Sequence, residues 1–334
     1  MLEKRLIGLA LVSLILSIAA TAHADEVAQK FLVVSDIDDT IKITDVLSIG
    51  RALKNGLFGQ RTFTGMSELY QELEKNGQAA ATPAGSMNPP IVYMSGSPPP
   101  LKGEIRDMLV EDHHFPDGRF MLRDWIKTKD VYSFKTAGFK ALALEVSMPF
   151  VALGDDTEKD PEVLTEFATA HPGRAAALYI HRVTGRAIPA GATEFYTAFD
   201  VALMEFEAGR LNAEQVARVG NTILASKDPR YLFPDFTQCP EDLTYDDTPK
   251  VSQDPALMAL KEKVADYIRH YCFKRNNGFK MLEPPRQHVV APSQMNQKPC
   301  PGTVNVTPAM VEAMSEHMKL VRSKLVSDIE ENVY

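Results

Sequence analysis

Between Lys30 and about Val201 the chain alternates short, continuous apolar runs with longer stretches of helical periodicity. The apolar runs cover residues 31–34, 91–94, 150–153, 176–180 and 195–198, and the helical stretches 65–75, 101–109, 137–146 and 161–168. A strand that is apolar on both faces has to be covered on both faces, and helices between successive strands supply that cover. The pattern predicts an α/β fold, a doubly wound parallel sheet with helices on both faces. In such sheets chemistry collects beyond the carboxyl ends of the strands.

Beyond about Ser226 the alternation stops. Residues 228–255 are rich in Pro and Asp, and Asp254-Pro255 suits the N-cap and first turn of a helix carrying Leu257, Leu260, Val264, Tyr267, Ile268 and Tyr271. A Pro-rich connection over 283–305 leads to Thr307-Pro308 and a last helix, whose stripe of Val311, Met314, Met318, Val321 and Leu325 reads as a core-facing seam. The expected organisation is an α/β domain over 25–225 and a helical accessory region over 226–334. Residues 79–90 read as a surface loop.

The N-terminus follows a different pattern. Lys4 and Arg5 precede a fifteen-residue, largely apolar run over 6–20, and Ala22-His23-Ala24 follows it. A charged start, a short apolar centre and an A-x-A exit predict a cleaved secretory signal ending at Ala24, hence a secreted or periplasmic protein. The run is shorter than the roughly 20 residues a spanning helix needs.

Net charge is −8 over 334 residues, which argues against a general nucleic-acid binder. Cys239, Cys272 and Cys300 lack zinc-site spacing. In an oxidising compartment one pair could bridge, and all three pairings stay open.

The chemistry concentrates after the first apolar run, where Asp36, Asp38 and Asp39 crowd three carboxylates at one strand end. Like charges so placed repel unless a cation or substrate uses them. A calcium loop of the EF-hand type is excluded, because its sixth and twelfth positions are Ile41 and Leu47 rather than Gly and Glu.

The D-x-D-x-T pattern of Asp36, Asp38 and Thr40 resembles the first motif of the haloacid dehalogenase superfamily of aspartate-nucleophile phosphatases. Three further motifs follow in order: Ser95-Gly96-Ser97 after the second run, Lys135 just ahead of a helical stretch, and the acidic segment from Gly154-Asp155 to Asp160 after the third run. The wider wording resembles the catalytic domain of actin-patch-associated phosphatidate phosphatases over about 31–183. It includes Ser97-Pro98, Phe115-Pro116-Asp117-Gly118, Leu122-Arg123-Asp124-Trp125 and Pro161-Glu162. The chain departs from that family's usual residues at Phe134, Pro99 and Asp156, and Lys140 remains an alternative to Lys135.

The interval of about 55 residues between the first and second motifs leaves little room for a large cap, and the resemblance implies a Mg²⁺-dependent phosphatase acting through an aspartyl phosphate. Asp36 would be the nucleophile and Asp38 the general acid and base. Asp36, the Asp38 carbonyl and Asp155 would hold Mg²⁺, with Asp160 as a further ligand or a holder of metal-bound water. Ser95 and Lys135 would bind the substrate phosphate, and Thr40 would orient the loop. The substrate expected is phosphatidate or a related phospholipid. A phosphatase of soluble phosphomonoesters and an inactive lipid- or protein-binding relative are the alternatives. Residues 51–61 mix Arg and Lys with Leu57 and Phe58, a composition suited to peripheral membrane contact as well as to ordinary helix packing. His113, His114 and His181 lack a nucleophile motif around them and read as structural.

Overall fold

The computed structural model describes residues 30–45, 61–77, 80–81, 87–88, 90–128 and 130–282. The segment expected as a signal over 1–24, residues 51–60, Cys300 and the helix expected after Thr307 lie outside the described residues. The described residues up to Lys274 form one compact unit, and those from Arg275 to Leu282 belong to a second.

Six strands make one all-parallel sheet: β1 (Leu32–Asp36), β2 (Ile91–Ser95), β3 (Arg119–Leu122), β4 (Phe150–Asp155), β5 (Ala175–His181) and β6 (Thr193–Phe195). Their order is β3-β2-β1-β4-β5-β6, so the chain reverses direction across the sheet at β1. The crevice between β1 and β4 is therefore the topological switch point, where open α/β sheets bind ligands.

The strands are apolar on both faces, and the period of two divides them cleanly. Phe31, Val33, Ile91, Tyr93, Val151 and Leu153 belong to one buried cluster; Leu32, Val34, Val92, Met94, Phe150 and Ala152 belong to the other. The second cluster is completed by α3 (Val131–Glu145) and α4 (Asp160–Ala170), through Phe139, Leu142, Val163, Leu164 and Phe167. The first and larger one is covered by α1 (Met66–Asn76), α2 (Lys102–Arg106, continuing as a π-helical turn to Asp112), α5 (Ala198–Glu207), α6 (Ala213–Leu224) and α7 (Pro255–Leu282). Asp254 Oδ1 accepts from the amides of Ala256 and Leu257 and starts α7 at the expected place. Cys239 and Cys272 form a disulfide. Among the described residues no helix is long and apolar enough to cross a membrane.

Three local expectations change. The apolar run at 195–198 is not a strand: β6 ends at Phe195, and Thr197 and Asp200 form a capping box that turns the same residues into α5. The helix expected over 137–146 starts at Val131, because Asp130 caps it by accepting from the Ser133 amide at 2.8 Å. Lys135 is consequently inside α3 and not ahead of a helix. Between β1 and β2 the described residues hold only α1 and a two-stranded ribbon, Ala80–Ala81 with Met87–Asn88.

Candidate active site

β1 ends on Asp36, and a tight turn follows it. Ile37 and Ile41 stay buried and anchor the turn, and the amides of Ile41 and Lys42 both donate to the Ile37 carbonyl. Asp39 has φ +57°, a left-handed conformation that Asp tolerates better than most side chains. Its carboxylate accepts from the amides of Thr44 and Asp45 at 2.8 and 2.7 Å. The third acid of the motif is thus spent on shaping the loop.

Asp155 ends β4, the neighbour of β1, and Asp160 begins α4 after a short turn. The two come together because Gly154 has no side chain: a Cβ there would lie 2.5 Å from the Asp160 Cβ. Oxygens of Asp36, Asp155 and Asp160 all lie within 4.8 Å of one another, and the three residues are buried. Lys135 reaches in from α3, with Nζ 2.6 Å from Asp36 Oδ1 and 2.5 Å from Asp160 Oδ1. Lys135 is itself only 2% exposed, whereas Lys140 is exposed on the same helix. Thr40 Oγ1 lies 3.2 Å from both Asp36 Oδ2 and Asp155 Oδ2. Thr157 fixes Asp155 by donating its amide, at 2.7 Å, and its hydroxyl to Oδ1.

Burial pushes the Asp36 carboxyl well above the usual carboxylate range; Lys135 opposes this, while Asp160, Asp155 and Asp38 add to it. Asp155 is pushed the same way, by burial and then by Asp160. Burial alone would lower the Lys135 ammonium, but Asp160, Asp36 and Asp155 more than reverse that and hold it charged. Lys135 pairs with two of three clustered carboxylates, so the fully ionised cluster would carry a formal excess of two negative charges in a buried place. An all-oxygen donor set of that kind could hold a hard metal cation.

Asp38 stands apart from this cluster. Ser95, the buried last residue of β2, donates to Asp38 Oδ2 at 2.9 Å, and Thr44 Oγ1 donates to Oδ1 at 2.9 Å. The Ser95 hydroxyl also accepts from the Ser97 amide at 3.0 Å. Asp38 is thus a partly exposed carboxylate clamped at both oxygens, beside Asp36 but free of Lys135's direct contact.

The remaining polar residues singled out in the sequence are structural. Asp156 accepts from the amides of Val183, Thr184 and Gly185, stapling the turn after β5. His181 is buried between Phe63 and Phe195, bonds the Asp39 carbonyl through Nδ1, and is kept neutral by burial. His113 and His114 tie a loop to α1 through Ser67 and Gln71. Two further groups beside the cluster had no role in the sequence reading. Glu158, in the acidic run, has its carboxyl raised by burial, with Lys135 opposing. Arg123 donates its Nε to the Gly96 carbonyl at 3.3 Å.

Residues 31–182 match the family model described as phosphatidate phosphatase APP1, catalytic domain. The matched segment runs from the start of β1 past the end of β5 and contains Asp36, Asp38, Ser95, Lys135, Asp155 and Asp160. No curated protein matches the chain.

Proposed function

We propose that residues 31–182, a phosphatase catalytic domain of the phosphatidate phosphatase APP1 family, hydrolyse the phosphomonoester of phosphatidate or a related phospholipid with the help of Mg²⁺. The observation that carries this reading is the buried cluster of Asp36, Asp155 and Asp160 around Lys135, placed at the switch point of the sheet. Asp36, Asp155 and Asp160, with the Asp38 carbonyl, would hold the ion. Bound there, Mg²⁺ supplies charge neutralisation for the phosphoryl oxygens and for the carboxylate excess.

The chain's own groups account for the rest. A carboxylate oxygen of Asp36 attacks phosphorus in line, the bond from phosphorus to the lipid oxygen breaks, and Asp36 carries the phosphoryl group as an acyl phosphate. Asp38, as general acid, would give a proton to the departing alkoxide oxygen. It then takes a proton from the water that attacks the acyl phosphate, releasing inorganic phosphate and restoring Asp36. Thr44 holds the Asp38 carboxyl in one orientation for both transfers. Lys135 opposes the burial that raises the Asp36 carboxyl, favouring the ionised form a nucleophile needs, and with Ser95 would meet the phosphoryl oxygens. The Cys239–Cys272 disulfide supports the secreted or periplasmic location proposed from the N-terminal residues, since such bonds persist in oxidising compartments.

The test is inorganic phosphate release from phosphatidate in mixed micelles, with and without EDTA, beside an Asp36→Asn control. Release that disappears with EDTA and with the variant is the expected result. Release from soluble phosphomonoesters alone would shift the substrate class. Silence on both, with lipid binding retained, would leave a binding module in place of an enzyme.

A further inference from the structure

Strands of a parallel sheet end at the same edge, so the residues that follow β3 lie beside those that follow β2 and β1. β3 ends at Leu122, paired with Ser95, and continues into Arg123-Asp124-Trp125-Ile126-Lys127. The Arg123 amide donates to the carbonyls of Ser95 and Ser97 at 3.2 and 3.1 Å, which ties this segment to the loop holding Asp38's partner. Asp124 Oδ1 then accepts from the amides of Ile126 and Lys127 at 3.0 and 3.2 Å, closing a tight turn.

That turn carries two large apolar side chains into solvent: Trp125 is 52% exposed and Ile126 83% exposed. Trp125 is not loose. Its Nε1 donates to the Gly96 carbonyl at 2.8 Å, and the Arg123 guanidinium lies 5.6 Å from its ring centre. The polar edge of the indole is therefore secured at the mouth of the site while much of its hydrocarbon faces outward. Lys127, 84% exposed and paired with Asp124 Oδ2 at 3.2 Å, stands next to the apolar pair. A single exposed Leu, such as Leu144 on α3, is unremarkable on any surface. A clamped Trp-Ile turn flanked by Arg and Lys, on the edge that carries the carboxylates, is a different object. Trp settles at the boundary between headgroups and acyl chains, aliphatic side chains enter the acyl region, and cations meet anionic headgroups.

We infer that the Trp125–Ile126 turn is the membrane-docking element of this phosphatase, seating its site against an anionic, phosphatidate-containing bilayer. The inference rests on the phospholipid reading above and names the surface through which that substrate is met. Docking places headgroup phosphates against the same edge as Asp36 and Asp38 without withdrawing a whole lipid from the bilayer.

Trp125 is the only tryptophan in the chain, so its intrinsic fluorescence reports on this turn without a label. The full chain in EDTA is mixed with phosphatidylcholine vesicles that contain or lack phosphatidate. A blue-shifted emission with phosphatidate, quenched by lipids brominated on their acyl chains, is expected. Ile126→Asp keeps the probe and should abolish the shift. With Mg²⁺, the same variant should hydrolyse vesicle phosphatidate about tenfold more slowly or worse, the cost of losing one buried Ile, and should turn over a short-chain, water-soluble phosphatidate at the wild-type rate. An unshifted, unquenched Trp125 on vesicles overturns the inference, and so does an equal loss on both substrates. Failure of the wild-type chain to hydrolyse either form counts against the catalytic reading alone, because the fluorescence result does not depend on turnover.

Discussion

Glu205, Arg210 and Tyr179, packed against one face of the sheet, form a closed set. Arg210 Nε and Nη2 each donate to the Glu205 carboxylate at 2.6 Å, and the Tyr179 hydroxyl donates to it as well. At the carboxyl edge, Lys135 pairs with Asp36 and Asp160 of a three-carboxylate cluster, and Asp36 and Asp155 are pushed toward protonation. Both groups are buried and both are made of ordinary ion-pairing residues. The first balances one charge with one charge and gives both Glu205 oxygens a donor, as buried pairs do when they serve only the fold. The second leaves an excess that the protein itself does not neutralise. Charge balance, more than burial or proximity, separates a structural ion pair from a site built to receive something.

The largest effect expected from this contrast comes from removing the one cation of the acidic cluster. Lys135→Met should lower turnover on the order of 10³-fold, comparable to losing a preorganised donor to a developing anion, measured as phosphate release at saturating Mg²⁺. A variant within tenfold of wild type would mean that Lys135 only fills space. Next, Glu205→Gln leaves Arg210 buried and uncompensated. It should cost about 3 kcal/mol in urea unfolding, with turnover per folded molecule unchanged. A catalytic defect there would erase the distinction between the two clusters.

A third measurement reads the imbalance directly. Mg²⁺ should raise the thermal midpoint of the wild-type chain, by an amount equivalent to about 3 kcal/mol at a hundredfold excess over its dissociation constant. Asp155→Asn should remove that rise and Glu205→Gln should retain it. A rise that survives in Asp155→Asn would place the ion elsewhere.

The same contrast explains what could be read from the sequence. β1, β2, β4 and β5 were legible because strands buried on both faces are continuously apolar, and the acids closing two of them mark the site. β3 was not, since the edge strand Arg119–Leu122 is mostly half-buried and mixes Arg with apolar residues. The positions of Asp36, Asp38, Ser95, Lys135, Asp155 and Asp160 followed from a family likeness. Their division of labour did not, because it depends on partners far along the chain: Lys135 on Asp36 across 99 positions, Ser95 on Asp38 across 57. Asp39 and Asp156 look like site acids in sequence, and only their backbone partners show that they build turns. The Cys239–Cys272 pairing likewise depends on how α7 returns to the core.

The smallest effect is the one that tests sign. Glu72, buried on α1, accepts from Arg218 at 2.7 and 3.0 Å, from Gln215 at 3.1 Å and from Lys75 at 2.7 Å. Burial pushes its carboxyl up, but the hydrogen bonds from Arg218, Lys75 and Gln215 outweigh burial and bring it down to about 2. Since its ordinary value is 4.5, the ionised form stabilises the fold fully above that pH, and the contribution is lost as pH falls toward 2. Arg218 and Lys75 are half-exposed, so solvent screening leaves an effect of about 1 kcal/mol. Asp155 carries the opposite sign. Its carboxyl is raised, so without metal the ionised form opposes folding, and protonation relieves the strain as pH falls through the raised value. Urea unfolding of Glu72→Gln and Asp155→Asn, each compared with wild type in EDTA across the acid range, should therefore diverge. On acidification the wild-type advantage over Glu72→Gln should shrink, while wild type should gain on Asp155→Asn. Parallel trends would show that the two kinds of cluster are not electrostatic opposites.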